Sequence, residues 1–160
     1  MDTTVAGERV QRYYREGERV QAEEEHRLLR EEAKAYQRYA RVHGPRKQNQ
    51  FAVGLTAYIH REVKRRDGVE VFWYVPVFRV SRGGRQSHIE FRISTRGFTG
   101  AYQQAVEAYV RHWGLQNYRE ELLRRQPSKE WFMRVMAKAA KRKWRQLSLD
   151  DIQKQLENRP

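Results

Sequence analysis

The sequence predicts an α+β protein: a three-stranded antiparallel sheet covered by one amphipathic helix, flanked by N- and C-terminal helices. Two features of the chain predict it. Apolar residues recur at helical spacing over 8–42, at strand spacing over 53–93, and at helical spacing again over 98–113 and from 128 onward. Charge divides the same way: residues 1–43 are neutral, 44–113 carry +7 and 114–160 carry +6, for a net charge of +13. Three segments follow, namely a charged helix and polar linker (1–50), a sheet-plus-helix core (51–114) and a basic helical extension (115–160).

From Glu8 to Val42 there is no proline, and Leu28, Leu29, Ala33, Tyr36, Tyr39 and Ala40 form an apolar stripe at steps of three and four. Glu and Arg fill the other faces, so the segment reads as a solvated helix leaning on the next domain, or as a dimerisation arm. Gly44-Pro45 stops it, and Arg46-Lys47-Gln48-Asn49-Gln50 reads as linker.

Residues 53–63 and 70–80 are rich in β-branched and aromatic side chains and read as strands. The Asp67-Gly68 pair between them is a hairpin signal, because glycine tolerates positive φ. Pro76 counts against a central position for the second strand. A third strand follows at 86–93 after the turn Ser81-Arg82-Gly83-Gly84-Arg85. Simple alternation points Tyr74, Pro76, Phe78, Ile89, Phe91 and Ile93 toward the covering helix. It points Ile59, Arg61, Trp73, Val75, Val77, Arg79, His88, Glu90 and Arg92 outward.

Phe98, Ala101, Tyr102, Ala105, Val106, Tyr109, Val110 and Trp113 then make a wide apolar helix face ending at Gly114. A short polar helical segment spans 117–126. Pro127-Ser128 restarts a helix whose apolar face carries Trp131, Phe132, Val135, Met136 and Trp144. Its other face and its end carry Lys138, Lys141, Arg142, Lys143 and Arg145. Ser148 is placed to cap a last helix reaching Leu156.

Cysteine is absent, which excludes a disulfide scaffold and a thiol nucleophile. The five histidines (His26, His43, His60, His88, His112) show no metal-ligand spacing, and no phosphate-loop, nucleophile-elbow or dinucleotide motif occurs. No cofactor, metal or catalytic group is expected. No apolar run reaches bilayer length, so a membrane role is not expected and a cytoplasmic place is.

The stretch from Val53 to Trp113 resembles an AP2/ERF-type DNA-binding domain in its bacterial and phage form. Gly54-Leu55-Thr56 stands at the family's first-strand opening, and His60 to Gly68 resembles its basic hairpin. Trp73-Tyr74-Val75-Pro76-Val77-Phe78 resembles its second strand and Gly83-Gly84-Arg85 its second turn. Phe91-Arg92-Ile93-Ser94-Thr95-Arg96-Gly97 and the helix positions Ala101-Tyr102 and Ala105-Val106-Glu107 complete the likeness. The resemblance covers 61 residues. It implies a regulator that enters the major groove of double-stranded DNA with its sheet, in the cytoplasm, on the nucleoid or in an infected host cell.

On that basis Arg61, Arg79 and Arg92 are expected to read bases, with Trp73 and His88 beside them. Lys64, Arg65, Arg66, Arg82, Arg85 and Arg96 would contact the backbone. Lys138, Lys141, Arg142, Lys143 and Arg145 would be accessory contacts to phosphates or a partner. The apolar Ile59, Val75 and Val77 depart from the family pattern and motivate a rival reading: a protein-binding module, such as a phage-encoded inhibitor of a nucleic-acid enzyme; a protein partner or a homodimer is the other expected partner. Outward Trp73 and His88 motivate another, a binder of RNA or single strands.

Overall fold

The computed structural model describes residues 2–15, 17–83 and 87–157 and divides the chain into two compact units, 1–44 and 45–160.

The first unit opens on a hairpin in place of the expected helix start. Strand β1 (Asp2–Val5) pairs antiparallel with β2 (Glu8–Gln11). The β-branched run Thr3-Thr4-Val5 favours strand, and Ala6-Gly7 makes the tight turn with φ of 54° and 88°. The helix begins only afterwards, as α1 (Arg19–His43). Arg12 and the Tyr14 hydroxyl both donate to Glu25 Oε2, at 2.5 and 2.8 Å, and tie the post-hairpin segment to the helix. Of the expected apolar stripe, Leu28, Tyr36 and Tyr39 are exposed.

The second unit is built on four antiparallel strands rather than three, in the order β3-β4-β5-β6. The added strand, β3 (Gln50–Ala52), lies partly in the expected linker, where Asn49 also accepts from the Ala57 N–H and donates to the Ala57 carbonyl. Strands β4 (Leu55–Arg66) and β5 (Val69–Ser81) pair over their whole length, from Leu55↔Val80 to Arg66↔Val69, around Asp67 and Gly68 at φ of 50° and 79°. The third expected strand is shorter than predicted: β6 (His88–Arg92) pairs only with Val77–Ser81. Ile93 already belongs to the short helix α2 (Ile93–Arg96).

Pro76 explains where β6 stops. Odd-numbered residues of β5 direct their backbone groups to β4, as in the Ser81 N–H bond to the Gly54 carbonyl. Even-numbered residues face the β6 side, as in the Arg82 N–H bond to the Ser87 carbonyl and the Tyr74 carbonyl that accepts from Gln155. Continuing β6 past Arg92 would require a donor from Pro76, which has none. Central β5 therefore tolerates its proline because the ladder ends there.

Helix α3 (Phe98–Trp113) covers one sheet face, with the bounds its periodicity predicts and a left-handed Gly114 closing it. A 3₁₀ turn (Gln116–Tyr118), α4 (Arg119–Arg124) and α5 (Lys129–Trp131) follow. The Ser128 hydroxyl accepts from the Trp131 N–H at 3.1 Å, the predicted cap. The chain continues through a π-helical stretch (Phe132–Ala137) into α6 (Lys138–Lys143), then α7 (Leu149–Glu157), whose Asp151 N–H bonds Ser148 Oγ at 3.3 Å.

Phe78 is the centre of the core. Its ring lies 5.1 Å from Tyr102, 5.4 Å from Phe98, 6.0 Å from Phe51 and 6.2 Å from Phe132, all edge-on. The buried Tyr102 hydroxyl donates to the Leu122 carbonyl at 2.8 Å, and burial pushes its pKa well above the usual phenol value. We expect Phe78→Ala to destabilise the protein by about 3–5 kcal/mol. Tyr102→Phe removes one of two hydrogen bonds to the Leu122 carbonyl, which keeps the Arg125 N–H, and should cost about 0.5–1.5 kcal/mol. Urea unfolding followed by circular dichroism measures both.

Candidate nucleic-acid interface

Cross-strand pairing sorts the side chains of the sheet into two faces. Leu55, Ala57, Ile59, Arg61, Phe78, Pro76, Tyr74, Ile89 and Phe91 share the face that α3 and the C-terminal helices cover. Thr56, Tyr58, His60, Glu62, Lys64, Arg79, Val77, Val75, Trp73, His88, Glu90 and Arg92 share the other.

This register corrects two expectations. Ile59 and Arg61 lie on the helix-covered face, not the outward one. Ile59 pairs with Pro76 and is buried. Arg61 pairs with Tyr74, and its guanidinium sits 5.1 Å from the Phe72 ring and 6.0 Å from the Trp144 ring. The alternation is visible in Leu55-Ala57-Ile59 against Thr56-Tyr58-His60, and carried on it places Arg61 with Ile59 on the covered face. Val75 and Val77 do lie on the outward face, yet both are buried. The Arg92 side chain starts opposite Val77 and ends on Glu62 across the sheet, so it passes over these valines. The apolar patch expected from Ile59, Val75 and Val77 is absent from the surface.

Arg79 and Arg92, the remaining expected base readers, are held by carboxylates. Arg79 donates to Glu90 Oε1 through Nη2 at 2.5 Å and Nε at 3.0 Å, and stacks on Tyr58 at 3.8 Å. His60 Nδ1 and His88 Nε2 approach the same oxygen at 3.3 and 3.5 Å. Glu90, read from the sequence as a charge of the wrong sign, is thus the hub of this face. Tyr58, His60 and Glu62 belong to it and were not anticipated; only the register reveals them.

Free cations lie toward the ribbon tip. Beyond Val77 no β6 residue pairs with β5, so the two-stranded ribbon continues for eight residue pairs, from Ile59↔Pro76 to Arg66↔Val69. At about 3.3 Å per residue that arm is about 25 Å long. Lys64 and Arg66 are exposed on its open face, with Lys64 Nζ 5.8 Å from the ring of Trp73, itself 51% exposed. Arg65 turns to the opposite face and pairs with Glu70 at 3.5 Å.

The other predicted contacts scatter. Arg82 is exposed at the far end of β5, and Arg85 lies outside the described residues. Arg96 is on the helix side, 2.6 Å from Gln104 Oε1 and over the Phe91 ring. Lys138, Lys141, Arg142, Lys143 and Arg145 are all exposed, and among the described residues none of them makes an ion pair. Lys143 lies 4.9 Å from the Trp144 ring, which packs 5.6 Å from Tyr74. This basic helix therefore adjoins the covered face of the arm. Among the described residues no cluster of three metal-binding side chains occurs, and no helix is long and apolar enough to cross a membrane.

No family model, no curated protein and no solved structure matches this chain. The Arg79–Glu90 pair, with side chains only 24% and 19% exposed, is expected to show a coupling of about 1–2 kcal/mol. The more exposed Arg92–Glu62 pair should show less than about 1 kcal/mol. Double-mutant cycles with Arg79→Met/Glu90→Gln and Arg92→Met/Glu62→Gln in urea unfolding give both values.

Proposed function

We propose that the chain binds double-stranded DNA through the uncovered face of its sheet, with the β4–β5 ribbon as the leading element. The observation that carries this reading is the arm: a two-stranded ribbon with an exposed tryptophan midway along it and, toward its tip, the exposed Lys64 and Arg66, which make no ion pair among the described residues. Ribbons of this width fit a DNA groove. The order hairpin, strand, helix over β4-β5-β6-α3 agrees with the AP2/ERF-type resemblance and supports it.

The charge arrangement supports a division of labour. Lys64, Arg66 and Arg82 have the exposure to neutralise phosphates and release counterions, and Lys138 to Arg145 supply a second cationic surface. Arg79 and Arg92 are oriented on the sheet but engaged, so contacting guanine means exchanging Glu90 or Glu62 for the base. Such an exchange favours a sequence that offers a good bidentate partner over one that does not. With Ile59, Val75 and Val77 buried, the rival protein-module reading loses the surface that motivated it.

Fluorescence anisotropy with a labelled duplex pool tests the reading. Neutralising four to six phosphates gives a slope of log affinity against log salt of about −4 to −5. Lys64→Ala/Arg66→Ala should flatten it by about 2 units and weaken binding at least about tenfold at low salt. Glu90→Gln, which frees Arg79, should tighten binding. A slope near zero, or an unchanged slope in the double variant, overturns the proposal.

A further inference from the structure

Where β6 ends, the free edge of β5 borders a groove of about 510 Å³. We infer that this groove is a binding site for a single unstacked nucleobase, one carrying an exocyclic amino group; the inference rests on the duplex-binding reading above. The volume suits a nucleotide-sized ligand. Phe72, Trp73 and Tyr74 supply one wall, and half-exposed Trp73 also belongs to the open sheet face, so the groove continues the proposed interface. Aromatic faces of this kind stack on any base.

The opposite wall is made of groups that recognise a base edge. Gln146 and Gln155 line it; each amide both donates and accepts, which is what ring nitrogens and carbonyls require. Gln155 spends one donor on the Tyr74 carbonyl at 3.0 Å, whereas Gln146 is exposed and makes no side-chain hydrogen bond among the described residues. The Asp151 carboxylate, also in the wall, accepts from an amino group. On the aromatic side, Tyr74 carries the one solvent-shielded side-chain oxygen among the described residues that lacks a partner. The wall therefore holds unspent polar capacity.

Cations bracket the groove where flanking phosphates would lie. Lys154 lines it, Lys64 stands over Trp73, and Arg61 and Lys143 flank the neighbouring Trp144. A base inside an intact duplex cannot reach such a groove, because its faces are stacked. The natural ligand is thus DNA with a base already unpaired, for which extrusion costs least.

The test compares full-length protein binding to a 20-base-pair duplex and to the same duplex with one bulged adenine. The bulged duplex should bind about tenfold tighter. Trp73→Ala should reduce that preference to within about twofold. Gln146→Ala should reduce it at least about threefold while leaving the paired duplex unaffected; thermal unfolding checks that both variants fold. Equal, measurable affinities for the two duplexes overturn this inference and leave the duplex-binding reading standing. A preference that survives Trp73→Ala also overturns it. No binding to either duplex removes the reading and the inference together.

Discussion

A single missing hydrogen-bond donor shapes the second unit. Pro76 faces the β6 side of β5, and because it has no N–H the third ladder cannot pass it. The chain turns into α2 at Ile93, leaving eight pairs of β4 and β5 as a ribbon with no third strand. The groove beside the free edge of β5, where Gln155 of α7 bonds the Tyr74 carbonyl, follows from the same residue.

The other organising feature is the pair of carboxylates on a cationic sheet. Glu90 and Glu62 hold Arg79 and Arg92 on the sheet face that also carries the buried Val75 and Val77. A guanidinium laid flat over apolar residues and satisfied by a carboxylate shields them through its methylenes as much as its charge. The same contacts lower the positive potential at the sheet centre, so the free cations concentrate at the ribbon tip and on α6.

Much of the second unit was legible in the sequence because its signals are long or chemically specific. A sixteen-residue helix with eight apolar positions on one face left little choice of bounds, and Asp67-Gly68 and Gly114 announced their positive φ. The four-residue strands of the first hairpin lie amid Glu and Arg, too short to show a period, and β3 has only three residues. The site was less legible than the fold. Across Val75–Phe78 every residue is buried, so hydrophobicity does not alternate and the face of each must come from its partner on β4. Arg61 shares the covered face with Ile59 yet remains exposed, its guanidinium over Phe72 and near Trp144, so its exposure does not reveal its face. Glu90 shows its role only when Arg79, His60 and His88 converge on one of its oxygens.

The strand order β3-β4-β5-β6 follows chain order without a crossover. Each ladder can therefore zip from its own turn, and no pairing waits for a distant segment to diffuse home. Loop-closure entropy for each ladder is set only by its own short connection.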